Sequence, residues 1–143
     1  MGVTIENSKH SIDMGYCGFK ALRTKVAELT TPDIYKHYRD LDEAFSIFDK
    51  NERKNFFDKY DAKIEELSTK YDGKYDPVLD FLYASDCSGS ITSDVCEAIY
   101  DIVKDYDDDI CYGYVGRPDC AMFKDFKNIL KDCIENQENM EWL

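Results

Sequence analysis

Five carboxylates, Asp94, Glu97, Asp101, Asp105 and Asp108, follow one another at spacings of three, four, four and three residues. In a helix, that spacing puts them along one face. Fourteen residues at a rise of 1.5 Å would make the row about 21 Å long, with a negative charge about every 5 Å. One strand of B-DNA carries a charge about every 3.4 Å, so the two linear densities are of the same order. The chemistry this suggests is recognition of a cationic surface, with the helix standing in for a phosphate backbone. Asp107 and Asp109 extend the charge, and Tyr106, Tyr112 and Tyr114 beside it are candidate anchors, since aromatic side chains are enriched among binding hot spots.

The surroundings sharpen this reading. From Asp76 to Asp109 there are ten acidic residues and one basic residue, Lys104. Residues 1–72 carry 12 Lys/Arg and 14 Asp/Glu, net -2, whereas residues 73–143 carry 6 and 16, net -10, so the chain's net -12 is mostly local. Concentrated charge of one sign creates a field that steers partners and keeps a protein dissolved. The ordinary alternative is a solvated helix face, because like charges four residues apart cost only a few tenths of a kcal/mol. The third predicted helix supplies the contrast. There Glu52, Arg53, Lys54, Asp58, Lys59, Lys63, Glu65 and Glu66 interleave both signs.

Other chemistries have weaker support. Asp105, Asp107, Asp108 and Asp109 offer the oxygen ligands that hard cations prefer, but the stretch lacks the glycine and terminal glutamate of a calcium loop. When Gly89 is aligned on the invariant glycine of that loop, Ala84 falls at the first ligand position and Val95 at the last. No metal site is assigned. The histidines, His10 and His37, form no nucleophile–base pattern and read as surface residues, and no Cys-x-x-Cys occurs, so no catalytic residue or cofactor is assigned either. A second binding reading starts from Gly15-Tyr16-Cys17-Gly18, which precedes a helix carrying Lys20, Arg23 and Lys25. A glycine-containing helix start with basic neighbours can hold a phosphate, so Gly15, Gly18, Lys20 and Arg23, joined by Arg117, are candidates for capturing a small nucleotide.

These groups need elements to position them. Val3, Ile5, Ile12 and Met14, with Asn7-Ser8-Lys9 between, predict a short N-terminal hairpin. Phe19, Leu22, Val26 and Leu29 predict a first helix. Thr31 caps a second, started by Pro32, with Ile34, Tyr38, Leu41 and Phe45 as its buried stripe. Phe56, Phe57, Tyr60, Ile64, Leu67 and Tyr71 mark a third that Gly73 stops. A short helix follows Asp76-Pro77 and breaks at residues 85–90, and a fifth runs from about Ser93 to Tyr106. Asp119 caps the last, whose inner face holds Met122, Phe123, Phe126, Ile129, Leu130, Cys133 and Ile134.

The expectation is a mainly α fold over residues 1–143: a single compact acidic domain of five or six helices with a short N-terminal β hairpin. No apolar run suits a membrane span and Met1–Ile12 lacks the pattern of a secretory signal, so a cytoplasmic protein is expected. In that reducing compartment the six cysteines are expected to be free and largely buried.

The stretches 11–19 (Ser-Ile-Asp-Met-Gly-Tyr-Cys-Gly-Phe) and 104–114 (Lys-Asp-Tyr-Asp-Asp-Asp-Ile-Cys-Tyr-Gly-Tyr) resemble those of small proteins carried by prophages and mobile elements of Gram-positive gut bacteria, over most of the chain. The resemblance implies a setting rather than an activity. Compact acidic phage proteins are often inhibitors of host defence, including anti-CRISPR proteins that occupy a nucleic-acid channel, and this chain is similar to them in size and charge. Together these readings point to a non-enzymatic inhibitor that meets a basic bacterial nucleic-acid-binding protein. Neither nucleic acid itself nor a membrane is an expected partner.

Overall fold

The computed structural model describes residues 2–106, 110–113 and 121–143. Two strands open the chain, β1 (Val3–Glu6) and β2 (Ser11–Met14), paired antiparallel with Val3 opposite Met14 and Ile5 opposite Ile12. Their turn is held by the Asn7 side-chain carbonyl, which accepts from the Lys9 and His10 amides at 3.0 and 2.8 Å. Six α-helices follow: α1 (Tyr16–Glu28), α2 (Pro32–Asp40), α3 (Lys50–Lys70), α4 (Asp76–Tyr83), α5 (Ser93–Val103) and α6 (Phe123–Asn136). Two further strands, β3 (Gly89–Ile91) and β4 (Met140–Trp142), complete an antiparallel sheet in the order β2-β1-β4-β3. The result is a mainly helical single domain with the expected N-terminal hairpin, and β3 and β4 are additions to that expectation.

The sheet buries one face. Val3, Ile5, Met14, Ile91, Met140 and Trp142 point into the core, while Glu6, Ser11, Asp13, Ser90 and Glu141 alternate away from it. Gly89, read above as a possible calcium-loop glycine, sits in β3 opposite Trp142, where a Cβ would lie 2.1 Å from the indole ring. The glycine makes room for the tryptophan. Around it an aromatic cluster closes, with Phe81 edge-on to Phe19 at 6.2 Å and to Trp142 at 5.7 Å, and stacked on Phe126 at 6.0 Å.

Helix starts follow the local chemistry. The Thr31 hydroxyl accepts from the Ile34 amide at 3.3 Å with Pro32 at the first position, and Asp49 accepts from the Asn51 and Glu52 amides at 2.8 and 3.0 Å. Asp119 lies outside the described residues; α6 starts at Phe123, where the Asp125 carboxylate accepts the Met122 amide at 2.8 Å.

The second helix ends earlier than its apolar pattern suggests. A 3-10 turn over Leu41–Ser46 follows Asp40 and swings Phe45 out, so that Phe45 is 74% and Phe48 90% exposed. Of the third helix's stripe, Tyr60 and Leu67 are buried, while Phe56, Phe57 and Ile64 remain half-buried. α3 therefore lies over the domain without closing on it, and leaves a cleft beneath.

Candidate functional site

The acidic row rests on α5. Cys96, Ile99 and Val103 form its fully buried inner face, and Asp94, Glu97 and Asp101 stand exposed opposite them. The helix ends at Val103, however, short of the expected Tyr106. Its last turn has no basic residue, and carboxylates at the negative end of the helix dipole are unfavourable. Asp105 is exposed in the turn beyond, and Asp107, Asp108 and Asp109 lie outside the described residues. The helical part of the row spans seven residues, about 10 Å, half the expected length. Two carbonyls at this end, those of Lys104 and Tyr106, accept from the buried Lys127 ammonium of α6 at 3.0 and 3.2 Å, which supplies the cation the helix end lacks.

No ion pair among the described residues involves Asp94, Glu97, Asp101 or Asp105. Elsewhere the surface is paired in the usual way: Lys25 with Glu28, Lys36 with Asp40, Lys63 with Glu66, Lys70 with Asp33. The tyrosines next to the row are spent on the core. Tyr112 is buried, and both it and the half-buried Tyr106 pack on Phe123, at 5.7 and 4.8 Å. Tyr114 lies outside the described residues.

The two glycines at the start of α1 have different surroundings. Gly15 is the α1 N-cap with open space around it, but at Gly18 a Cβ would come within 2.0 Å of the Tyr112 carbonyl oxygen, so that glycine permits a close backbone approach. Arg117 lies outside the described residues. Lys20 and Arg23 do come together, one turn further along α1, on the wall of the cleft under α3.

That cleft encloses about 710 Å³ between α1, α2, α3 and α4, with Phe19, Tyr38, Phe57, Tyr60, Ile64 and Tyr83 among its walls. Arg23 is 4% exposed and has no carboxylate partner. Its guanidinium lies 4.4 Å over Phe19, 5.3 Å over Phe81 and 5.5 Å over Trp142, and donates to the Ser85 carbonyl at 3.2 Å; the buried Nε–H has no acceptor. Burial lowers its pKa from the ordinary guanidinium value, against the opposing pull of Tyr38 and Asp86. The Tyr60 hydroxyl is likewise buried, beside that of Tyr83. At the mouth, Lys20 pairs with Asp42 and sits 5.4 Å over Phe45.

His37, expected at the surface, is 5% exposed behind the same wall. It stacks on Tyr60 at 3.9 Å, its Nε2 lies 3.0 Å from the Tyr60 carbonyl, and its Nδ1 lies 2.6 Å from the Tyr83 hydroxyl. Nε2 must therefore carry the proton and Nδ1 accept from Tyr83. Burial lowers the His37 pKa and raises those of Tyr38, Tyr60 and Tyr83.

The cysteines match the expectation of free, buried thiols only in part. Cys17 and Cys87 are exposed free thiols, Cys96 and Cys133 are buried and free, and Cys111 is disulfide-bonded. Among the described residues no group of three His, Cys, Asp or Glu side chains could hold a metal ion, and no helix is long and apolar enough to cross a membrane.

Tyr60, Tyr83 and His37 were not singled out by the sequence reading. The available signal was Tyr38 and Tyr60 within apolar helix stripes, since a buried tyrosine hydroxyl needs a polar neighbour. Comparison with protein-family models, curated proteins and solved structures finds no match to this chain.

Proposed function

We propose that this protein is a non-enzymatic binding module that sets the acidic face of α5 against a basic surface of a bacterial nucleic-acid-binding protein and competes there with nucleic acid. One observation carries the reading. Asp94, Glu97 and Asp101, followed by Asp105, are exposed on one side of a helix anchored by its opposite face, and no ion pair among the described residues engages them. Solubility alone requires charge but not this one-sided placement. Fixed carboxylates raise the rate of encounter with a cationic partner and reject anionic ones. The prophage-like resemblance narrows the partner to a host defence protein and the outcome to inhibition.

The test is retention of bacterial nucleic-acid-binding proteins on the immobilised chain at low salt, compared with a variant carrying Asp94→Lys, Asp101→Lys and Asp105→Lys. Proteins held by the native chain should be released by added salt, lost with the variant, and displaced from their nucleic acid in a mobility-shift assay. Equal retention by the two chains, with circular dichroism showing both folded, overturns the proposal.

A further inference from the structure

We infer that the cleft beneath α3 is a binding site for a small planar aromatic molecule bearing a single negative charge, with Arg23 as its counter-ion. This site is separate from the acidic face of α5 and does not depend on what that face binds. At about 710 Å³, with mostly aromatic and aliphatic walls and a few polar atoms, it has the size and composition of a small-molecule site.

The charge argument comes from Arg23. A buried cation without a counter-ion is costly, and proteins ordinarily offset it with a carboxylate. Here the guanidinium has aromatic faces, one carbonyl, the Tyr38 hydroxyl beside it and only the exposed Asp86 as a nearby negative charge, and its Nε–H is left without an acceptor. A ligand carboxylate on the cleft side of the guanidinium would supply the directly paired charge that no described carboxylate gives it. The Tyr60 hydroxyl lines the same cleft beside that of Tyr83 and offers a second polar contact. Phe19, Tyr38, Phe57, Ile64, Leu82 and Tyr83 supply rings and aliphatic groups against which a flat ring packs well.

The net charge of the ligand follows from the mouth. Asp61 and Asp86 line the cleft and are exposed, and Lys20 there is already paired with Asp42. A polyphosphate would have to lie beside those carboxylates, whereas a single carboxylate reaching Arg23 leaves only its uncharged ring at the entrance. This chemistry favours an aromatic monoanion over a nucleotide, and it puts Lys20 and Arg23 to a use different from a helix-start phosphate site.

The experiment uses a panel of aromatic monocarboxylates, each matched with its own primary amide, together with adenosine 5′-monophosphate, scored by thermal stabilisation of the full chain and then by calorimetry. At least one acid should bind about tenfold or more tightly than its amide, the difference expected from a charge-assisted pair, and adenosine 5′-monophosphate should bind more weakly than that acid. Arg23→Met should erase the acid's advantage over its amide; should that variant not fold, Arg23→Lys, which keeps the charge but loses the flat fork, should reduce it. Acids that never exceed their amides, an advantage that survives the arginine change, or tighter binding of the nucleotide would each overturn the inference.

Discussion

Arg23 and Trp142 donate to the same acceptor, the carbonyl oxygen of Ser85, at 3.2 and 2.9 Å. One oxygen thus ties the first helix and the last strand to the loop that leaves α4, and both of its lone pairs are used. The same two side chains also stack, with the guanidinium 5.5 Å over the indole. Trp142→Phe keeps a ring but removes the N–H and leaves a gap in a fully buried cluster. We expect a loss of about 2–3 kcal/mol, combining a lost buried hydrogen bond with incomplete packing. It should appear in denaturant unfolding as a lower midpoint at unchanged slope. A loss under about 0.5 kcal/mol would mean that the shared carbonyl and the ring contribute little.

His37 gives the fold a pH dependence of defined sign. Its native pKa is held below the ordinary 6.5 by burial, so between 6.5 and the native value the unfolded chain binds a proton that the folded chain refuses. The stability is fully present above pH 6.5 and falls as pH drops through that window, before carboxylates such as Asp33, whose pKa Lys70 and Tyr71 hold below 3.8, begin to contribute. The His37 ring resonances should therefore titrate with a midpoint below 6.5. In His37→Phe the slope of stability against pH across that window should shrink, even though the lost hydrogen bonds lower stability overall.

What was legible in the sequence was whatever repeats locally. Phe19, Leu22 and Val26, the Thr31-Pro32 start, and Phe123 through Cys133 each carry a local signal, and α1, the start of α2 and α6 lie where it puts them. Strands β3 and β4 are three residues each, too short to alternate visibly, and a single buried tryptophan gives no period. Phe45 continues the apolar rhythm of α2, but a 3-10 turn changes the angle per residue and turns it to solvent. Half of the acidic row was legible for the same local reason, and the rest depends on where α5 stops. The cleft was not legible at all, because Arg23, Tyr60 and Tyr83 come from three helices that meet only in the fold.

The thiols divide by burial. Cys17 and Cys87 are exposed and should be alkylated in the native protein, whereas Cys96 and Cys133 should react only in denaturant and Cys111 only after reduction. Asp86 pushes the Cys87 thiol above its ordinary value, so its labelling should still be accelerating with pH above 9. Peptide mass mapping after timed alkylation reads each site separately. Rapid native labelling of Cys96 or Cys133 would contradict the α5–α6 packing.

Two glycines three residues apart should respond to the same substitution in opposite directions. Gly15 is the N-cap of α1, with ordinary φ of -71° and nothing within 4 Å of where a Cβ would stand. Gly15→Ser gives the helix a side-chain acceptor for its free amides and restricts the unfolded chain, so it should stabilise by about 0.5–1 kcal/mol. Gly18→Ser places its Cβ 2.0 Å from the Tyr112 carbonyl oxygen, a backbone atom that cannot move without shifting the pairing of Tyr112 and Gly113 with Ala121. The cost should be about 1–3 kcal/mol. Were both glycines there to admit a phosphate, the two variants would instead be nearly equal in stability and differ only in anion binding, so paired thermal melts with and without inorganic phosphate separate the two accounts.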